Sequence, residues 1–247
     1  MSTSSDFTSH KLVGPEVTST VLEDAASLFS AHYGVWGPLA ARMMGSFAQQ
    51  GRRVRMSASK LRNECLPASE NAEHTYVKAM VGDRLVGNVF ATRWISEGRP
   101  MCWITQLVVV PEFRNMGLAT KMLLKLREDG EYQGFGILSS HPFAIMACLR
   151  AFGRGVEGVD FSMTKDGAIS IMSSCPVRYV RTAKLQGSLF GDDDKKSKVV
   201  SCADTGFWVD HTEPSQALDI IKAKGIKWPF GTLPEGHEFL VLVDGRS

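Results

Sequence analysis

The chain has 247 residues, 44% of them hydrophobic, enough for one sizeable core. Lys plus Arg number 28 against Asp plus Glu 26, a net charge of +2 that leaves no electrostatic footprint for wholesale nucleic-acid or membrane binding. The five cysteines are scattered with no C-x-x-C pair, so they read as reduced thiols of a cytoplasmic or nuclear protein with no zinc site. No leader-like apolar segment and no run long and apolar enough to span a bilayer is present.

In chain order, residues 1–15 are polar and read as a flexible start. Thr20 to Glu23 has the form of a capping box, followed by Val21, Ala25, Leu28, Phe29 and His32 on one helical face. Gly34 ends that helix, an aromatic connection with Tyr33 and Trp36 follows, and Pro38 opens a second helix with Leu39, Met43 and Phe47 at four-residue spacing. A third helix is predicted over 58–66, stopped by Pro67, after a short basic cluster that reads as a solvated face. Residues 75–81 and 85–94 read as strands joined by a tight turn at Gly82, and 101–110 as a third strand. Pro111 stops that strand, since proline donates nothing to a ladder. From Leu118 the apolar residues Leu118, Met122 and Leu126 mark a helix that Gly130 terminates.

Residues 135–139 fit a buried parallel strand, and Pro142 opens a helix with Ile145, Cys148, Leu149 and Phe152 inward. Beyond Gly153 the pattern predicts a hairpin over 161–171 turning at Asp166-Gly167, a charged inserted loop at 191–198, a strand at 205–209, a helix opened by Pro214 and a last strand at 239–243.

The junction between strand and helix carries the chemistry. A helix start offers unpaired N–H groups and partial positive charge, a ready cradle for phosphate when no side chain obstructs it. Gly117 lacks a Cβ, Ala119 is slim, and Arg114 and Lys121 offer charge. Leu107, Val109, Pro111, Arg114, Gly117 and Ala119 together resemble the acyl-coenzyme A motif of the GNAT superfamily of N-acetyltransferases.

That resemblance implies a mixed α/β fold: a central, mostly antiparallel, splayed sheet flanked by helices, with a core over 16–155 and a C-terminal portion, 156–247, that completes the sheet. It implies acetyl-CoA as cofactor, held by Leu107, Val108, Val109, Arg114, Asn115, Met116, Gly117, Leu118, Ala119, Thr120, Ser139 and His141, with a backbone N–H at Val108 or Val109 facing the thioester oxygen. It places Tyr33, Trp36 and Asp210 at the acceptor, although Tyr33 and Trp36 read equally well as a staple between two helices.

The chain departs from the family where proton transfer is concerned. A glutamate is common just before the Leu-x-Val element; Thr105 and Gln106 stand there, and neither is a base at neutral pH. No tyrosine lies between Pro142 and Gly153 to protonate the thiol. The candidates left are His141, Glu97, Asp210 and His211, of which at most one of the last two faces the amine. Cys148 as a nucleophile is the sharper alternative, set against its reading as core packing. The expected reaction is acetyl transfer to the primary amine of a small molecule, of amino-sugar or polyamine type, in a ternary complex. A protein lysine or N-terminal acetyltransferase and a non-catalytic acyl-coenzyme A sensor are the alternatives. The open edges of a splayed sheet are compatible with a homodimer.

Overall fold

The computed structural model describes residues 7–128, 130, 132–191 and 198–245. Among these residues eight strands form one sheet in the order β1-β2-β3-β4-β5-β8-β7-β6. They are β1 (Thr8–Val13), β2 (Glu73–Val81), β3 (Arg84–Ser96), β4 (Arg99–Val109), β5 (Gly134–Ser139), β6 (Lys184–Gln186), β7 (Cys202–Asp204) and β8 (His237–Asp244). Every pairing is antiparallel except β4 with β5. The helices are α1 (Ser19–His32), α2 (Ala40–Met44), α3 (Ala58–Cys65), α4 (Leu118–Arg127), α5 (Pro142–Phe152), α6 (Ser162–Ser174), α7 (Arg178–Thr182) and α8 (Thr212–Ala223).

Alternation along the strands divides the core. Cys102 and Ile104 of β4 point to the face covered by α4 and α5, where Leu118, Met122, Leu126, Ile145, Cys148 and Phe152 pack. Met101 and Trp103 point to the opposite face, against Ala168, Ile171 and Met172 of α6 and Val180 of α7. Further along that face, α1 and α3 cover Tyr76 and Phe90. The parallel step from β4 to β5 depends on Gly136, which pairs with Trp103; a Cβ there would fall 2.3 Å from the indole ring.

Several expectations need correction. The polar start is no loose arm from residue 8 onward: Thr8–Val13 pairs along β2 as an edge strand. Its alternation of exposed and half-buried positions suits an edge with solvent on one side, and that polarity hid it. Residues 1–6 lie outside the described residues. The hairpin at Asp166-Gly167 is instead the middle of α6, because Thr164, Ala168, Ile171 and Met172 bury one helical stripe and Asp160 bonds the helix start through Ser162 N–H (2.8 Å). The strand expected at 205–209 lies earlier, at Cys202–Asp204; residues 205–209 leave the sheet and bond to the α1–α2 connection, where Gly37 N–H donates to Trp208 O (2.9 Å).

Smaller shifts concern helix ends. Thr18, not Thr20, caps α1. The helix after Pro38 is a single turn, with Met43 and Phe47 exposed. The charged segment at 192–197 lies outside the described residues. Among the described residues no helix is long and apolar enough to cross a membrane, and no group of three His, Cys, Asp or Glu side chains is arranged for a metal ion.

Candidate functional site

The cleft begins where the sheet splits. β4 and β5 pair only from Met101↔Gly134 to Ile104↔Ile137. The register between β3 and β4 then skips Thr105, since Phe90 faces Gln106 and Ala91 faces Ile104. Such a bulge bends its strand and re-aims side chains. β4 continues with β3 while β5 continues with β8, and a cleft of about 560 Å³ opens between them. Val110 N–H donates to Val86 O (2.9 Å), so Val108 also turns its backbone to β3 while Leu107 and Val109 turn theirs to the open side. Of the two N–H groups expected at the thioester oxygen, geometry favours Val109.

The loop from β4 to α4 enters the helix through two left-handed residues, Asn115 (φ 61°) and Gly117 (φ 77°). Gly117 is the N-cap and carries no capping side chain; the first intrahelical bond is Lys121 N–H to Gly117 O (3.0 Å). The N–H groups of Leu118, Ala119 and Thr120 therefore precede any helical acceptor. A Cβ at Gly117 would meet nothing within 4 Å, so the space above this helix start is open.

The charges expected beside this cradle are directed elsewhere. Arg114 donates through Nε to Val109 O (2.9 Å) and through a terminal nitrogen to His32 O (2.9 Å), and pairs with Glu213. It fastens the ends of β4, α1 and α8 rather than offering a free guanidinium. Lys121 sits over the Phe7 ring, 4.4 Å from its centroid. The anion cradle is thus built of backbone.

His141 caps α5. Its Nδ1 accepts from Phe143 N–H (3.3 Å), its own N–H donates to Ser139 Oγ (3.1 Å), and its Nε2 lies 3.5 Å from Glu213 Oε1. An imidazole accepting at Nδ1 carries its proton on Nε2, which faces the carboxylate, so neither nitrogen has a lone pair for a substrate. The hydrogen bond from His141, together with Arg114, holds the Glu213 carboxyl below its ordinary range. Asp210 lines the cleft, but its Oδ1 accepts from Thr212 N–H (2.8 Å) and starts α8. His211 does not line the cleft, and burial lowers its pKa.

Tyr33 and Trp36 both line the cleft. Tyr33 stacks on Phe29 (centroids 4.2 Å), and Trp36 meets Phe207 edge-on (5.6 Å). They serve as wall and staple at once, joining α1, the α1–α2 connection and the segment after β7. All five cysteines are buried and none is in a disulfide; burial pushes the Cys65 thiol up to about 12 and the Cys148 thiol higher still, so both stay protonated at neutral pH.

Glu238 was not anticipated. It stands on β8 opposite Ala203, only 5% exposed, and lines the same cleft. Burial pushes its carboxyl up to about 7; the Thr205 hydroxyl beside it, outside full hydrogen-bond geometry, offsets part of this. Tyr179 from α7 lines the cleft too and donates to Thr105 O (3.1 Å). Both amide atoms of Gln106 and the hydroxyls of Thr105 and Thr205 are buried without a protein partner, and all three residues line the cleft. Glu238, directly ahead of the apolar run Phe239 to Val243, is a legible signal, but apolar patterning starts the strand at 239 whereas β8 begins two residues earlier, at His237.

Residues 42–144, from α2 through the first turn of α5, match the family model described as the acetyltransferase (GNAT) family. That stretch of the chain is similar to a GNAT acetyltransferase domain. The comparison with curated proteins finds no match. Among solved structures, the chain is similar to an aminoglycoside acetyltransferase from an uncultured soil metagenomic sample (14% identity, TM-score 0.33, covering 49% of this chain and 68% of that one). It is also similar to the ribosomal-protein-S18-alanine N-acetyltransferase of Escherichia coli (12% identity, TM-score 0.38, 60% and 77%). A possible acetyltransferase from Clostridium difficile 630 is a third (15% identity, TM-score 0.40, 64% and 94%).

The family matched over residues 42–144 implies acetyl-CoA as acyl donor, and the residues present fit it. The uncapped start of α4 with open space above Gly117 suits a pyrophosphate, and the edge of β4 that β5 leaves, with the backbone of Leu107 and the Val109 N–H turned to the cleft, suits an extended amide-bearing arm.

Proposed function

We propose that the chain is an acetyl-CoA-dependent N-acetyltransferase acting on the primary amine of a small molecule, of amino-sugar or polyamine type, with both reactants in the cleft together. The observation that carries this reading is one cleft whose lining combines the backbone anion cradle at the start of α4 with buried polar groups that have no protein partner.

The N–H groups of Leu118, Ala119 and Thr120 would hold the pyrophosphate, with Asn115 and Met116 forming the turn ahead of them. The backbone of Leu107 and Val109, with Ser139 across the cleft, would hold the pantetheine arm. Val109 N–H would face the thioester oxygen as it gains charge. When bound, acetyl-CoA supplies an acyl group already activated as a thioester.

What the protein must add is proximity and a proton acceptor, since an alkylamine with a pKa near roughly 10.4 is protonated at neutral pH. Direct transfer is favoured over a cysteine-bound acyl group because burial keeps the cysteines as thiols. A small acceptor is favoured because the 205–209 segment, bonded to the α1–α2 connection, walls the acceptor end. The test is thiol release from acetyl-CoA with amino sugars, polyamines, arylamines, amino acids and lysine peptides. Turnover with a small-amine class supports the reading, and turnover with lysine peptides alone overturns the choice of acceptor.

A further inference from the structure

A buried carboxylate needs a partner, and Glu238 lacks a charged one. Its carboxyl is governed by burial and by Thr205, with no cationic side chain among the described residues contributing to its charge balance. The titratable groups that sense its charge are Tyr33, at the end of α1, and Tyr179 from α7, and burial holds both of them protonated. The cleft that Glu238 lines is also lined by residues with four buried polar atoms outside hydrogen-bond geometry to any protein group: Gln106 Oε1 and Nε2, Thr105 Oγ1 and Thr205 Oγ1. Gln106 is itself only 5% exposed. The bulge at Thr105 places Thr105 and Gln106, consecutive on β4, both on the lining of the cleft.

An ammonium supplies the missing charge. Hydroxyl groups flanking it supply the missing hydrogen bonds, since each donates and accepts, as do the two threonines; the Gln106 amide does one at each atom. An amine on a hydrocarbon body would leave those atoms orphaned.

We propose that Glu238 accepts the proton of the acceptor amine, and that Gln106, Thr105 and Thr205 hold hydroxyl groups beside that amine, so that the acceptor is an amino alcohol or amino sugar. This rests on the acetyltransferase reading. One proton passes from the ammonium to the Glu238 carboxylate and frees the nitrogen lone pair. That pair forms the new N–C bond while the thioester C–S bond breaks; the second nitrogen proton leaves with the sulfur as thiol, and Glu238 returns its proton to solvent.

The test uses the full chain, acetyl-CoA and two amines that share a six-membered ring, glucosamine and cyclohexylamine. The wild type is expected to release thiol with glucosamine at least about 100-fold faster, in kcat/KM, than with cyclohexylamine. That rate should rise with pH through about 7, the value to which burial pushes Glu238. Glu238→Gln should lose at least about 100-fold and the rising limb with it, while still binding coenzyme A by calorimetry. Glu238→Asp should keep the limb at a reduced rate, and Gln106→Leu should narrow the preference between the two amines.

If Glu238→Gln binds coenzyme A and turns over with the wild-type rate and pH profile, or if both amines react equally, this inference is overturned and the acetyltransferase reading stands. If the wild type binds coenzyme A yet releases no thiol with any amine, the acetyltransferase reading falls and takes this inference with it.

Discussion

Arg114 and Glu213 form an ion pair that ties the loop ahead of α4 to the first turn of α8. The same guanidinium donates to Val109 O and His32 O, so one side chain fixes the mouth of the cleft from three sides. Hydrogen bonds from a charged donor stabilise more than the exposed ion pair does.

Replacing Arg114 with alanine is therefore expected to cost about 2–3 kcal/mol in urea unfolding, with coenzyme A affinity falling less than about tenfold. Arg114→Lys should recover under half of the loss, because one ammonium does not reproduce the planar fork. Full stability with lost cofactor binding would return Arg114 to a phosphate-binding role.

Gly117 separates backbone strain from ligand space. Its φ of 77° makes alanine cost about 1 kcal/mol, but no neighbour within 4 Å obstructs a side chain. Gly117→Ala is expected to weaken coenzyme A binding modestly, and Gly117→Glu to abolish it while the protein stays folded by circular dichroism. Equal coenzyme A affinity in wild type and Gly117→Glu would remove the site from α4.

Burying Glu238 sets a sign for stability. Its folded-state pKa, about 7, lies above the ordinary value of 4.5, so between these values the folded chain binds more protons than the unfolded one. Stability is then highest below about pH 4.5 as far as this group is concerned, and falls as pH rises towards 7, by about 3 kcal/mol in all. Glu238→Gln should unfold later than wild type at pH 8 by up to that amount, with the advantage shrinking towards pH 5. Thermal melts of both proteins at the two pH values measure this; an equal offset at both would refute the burial account.

Cys148 is fully buried against β5 and α4 neighbours, and its thiol is held protonated. Cys148→Ala should lose about 1–2 kcal/mol of stability and retain turnover. Loss of turnover in a folded variant, together with an acylated thiol on the wild type, would favour a covalent route.

Local signals made the heart of the fold legible. The β-branched run ending at Pro111, the glycine loop, and the fourfold spacing of Leu118, Met122 and Leu126 name strand, cradle and helix within residues 104–130. The hairpin through Gly82 was equally local. What escaped was set by distant contacts. Arg114 finds its partners 82 and 99 residues away, which no spacing rule exposes. The helix α6 is decided by the sheet face it covers, not by the Asp166-Gly167 pair inside it. Likewise Glu238 comes to line one cleft with Thr105 and Gln106 because β5 and β8 pair beyond the point where β4 diverges.

Thiol release from acetyl-CoA across the amine panel, run in parallel with Gly117→Glu, tests the central claim most directly. The expected result is turnover with hydroxylated primary amines that vanishes in Gly117→Glu. Coenzyme A binding by the wild type without thiol release for any amine would contradict it and leave an acyl-coenzyme A sensor in its place.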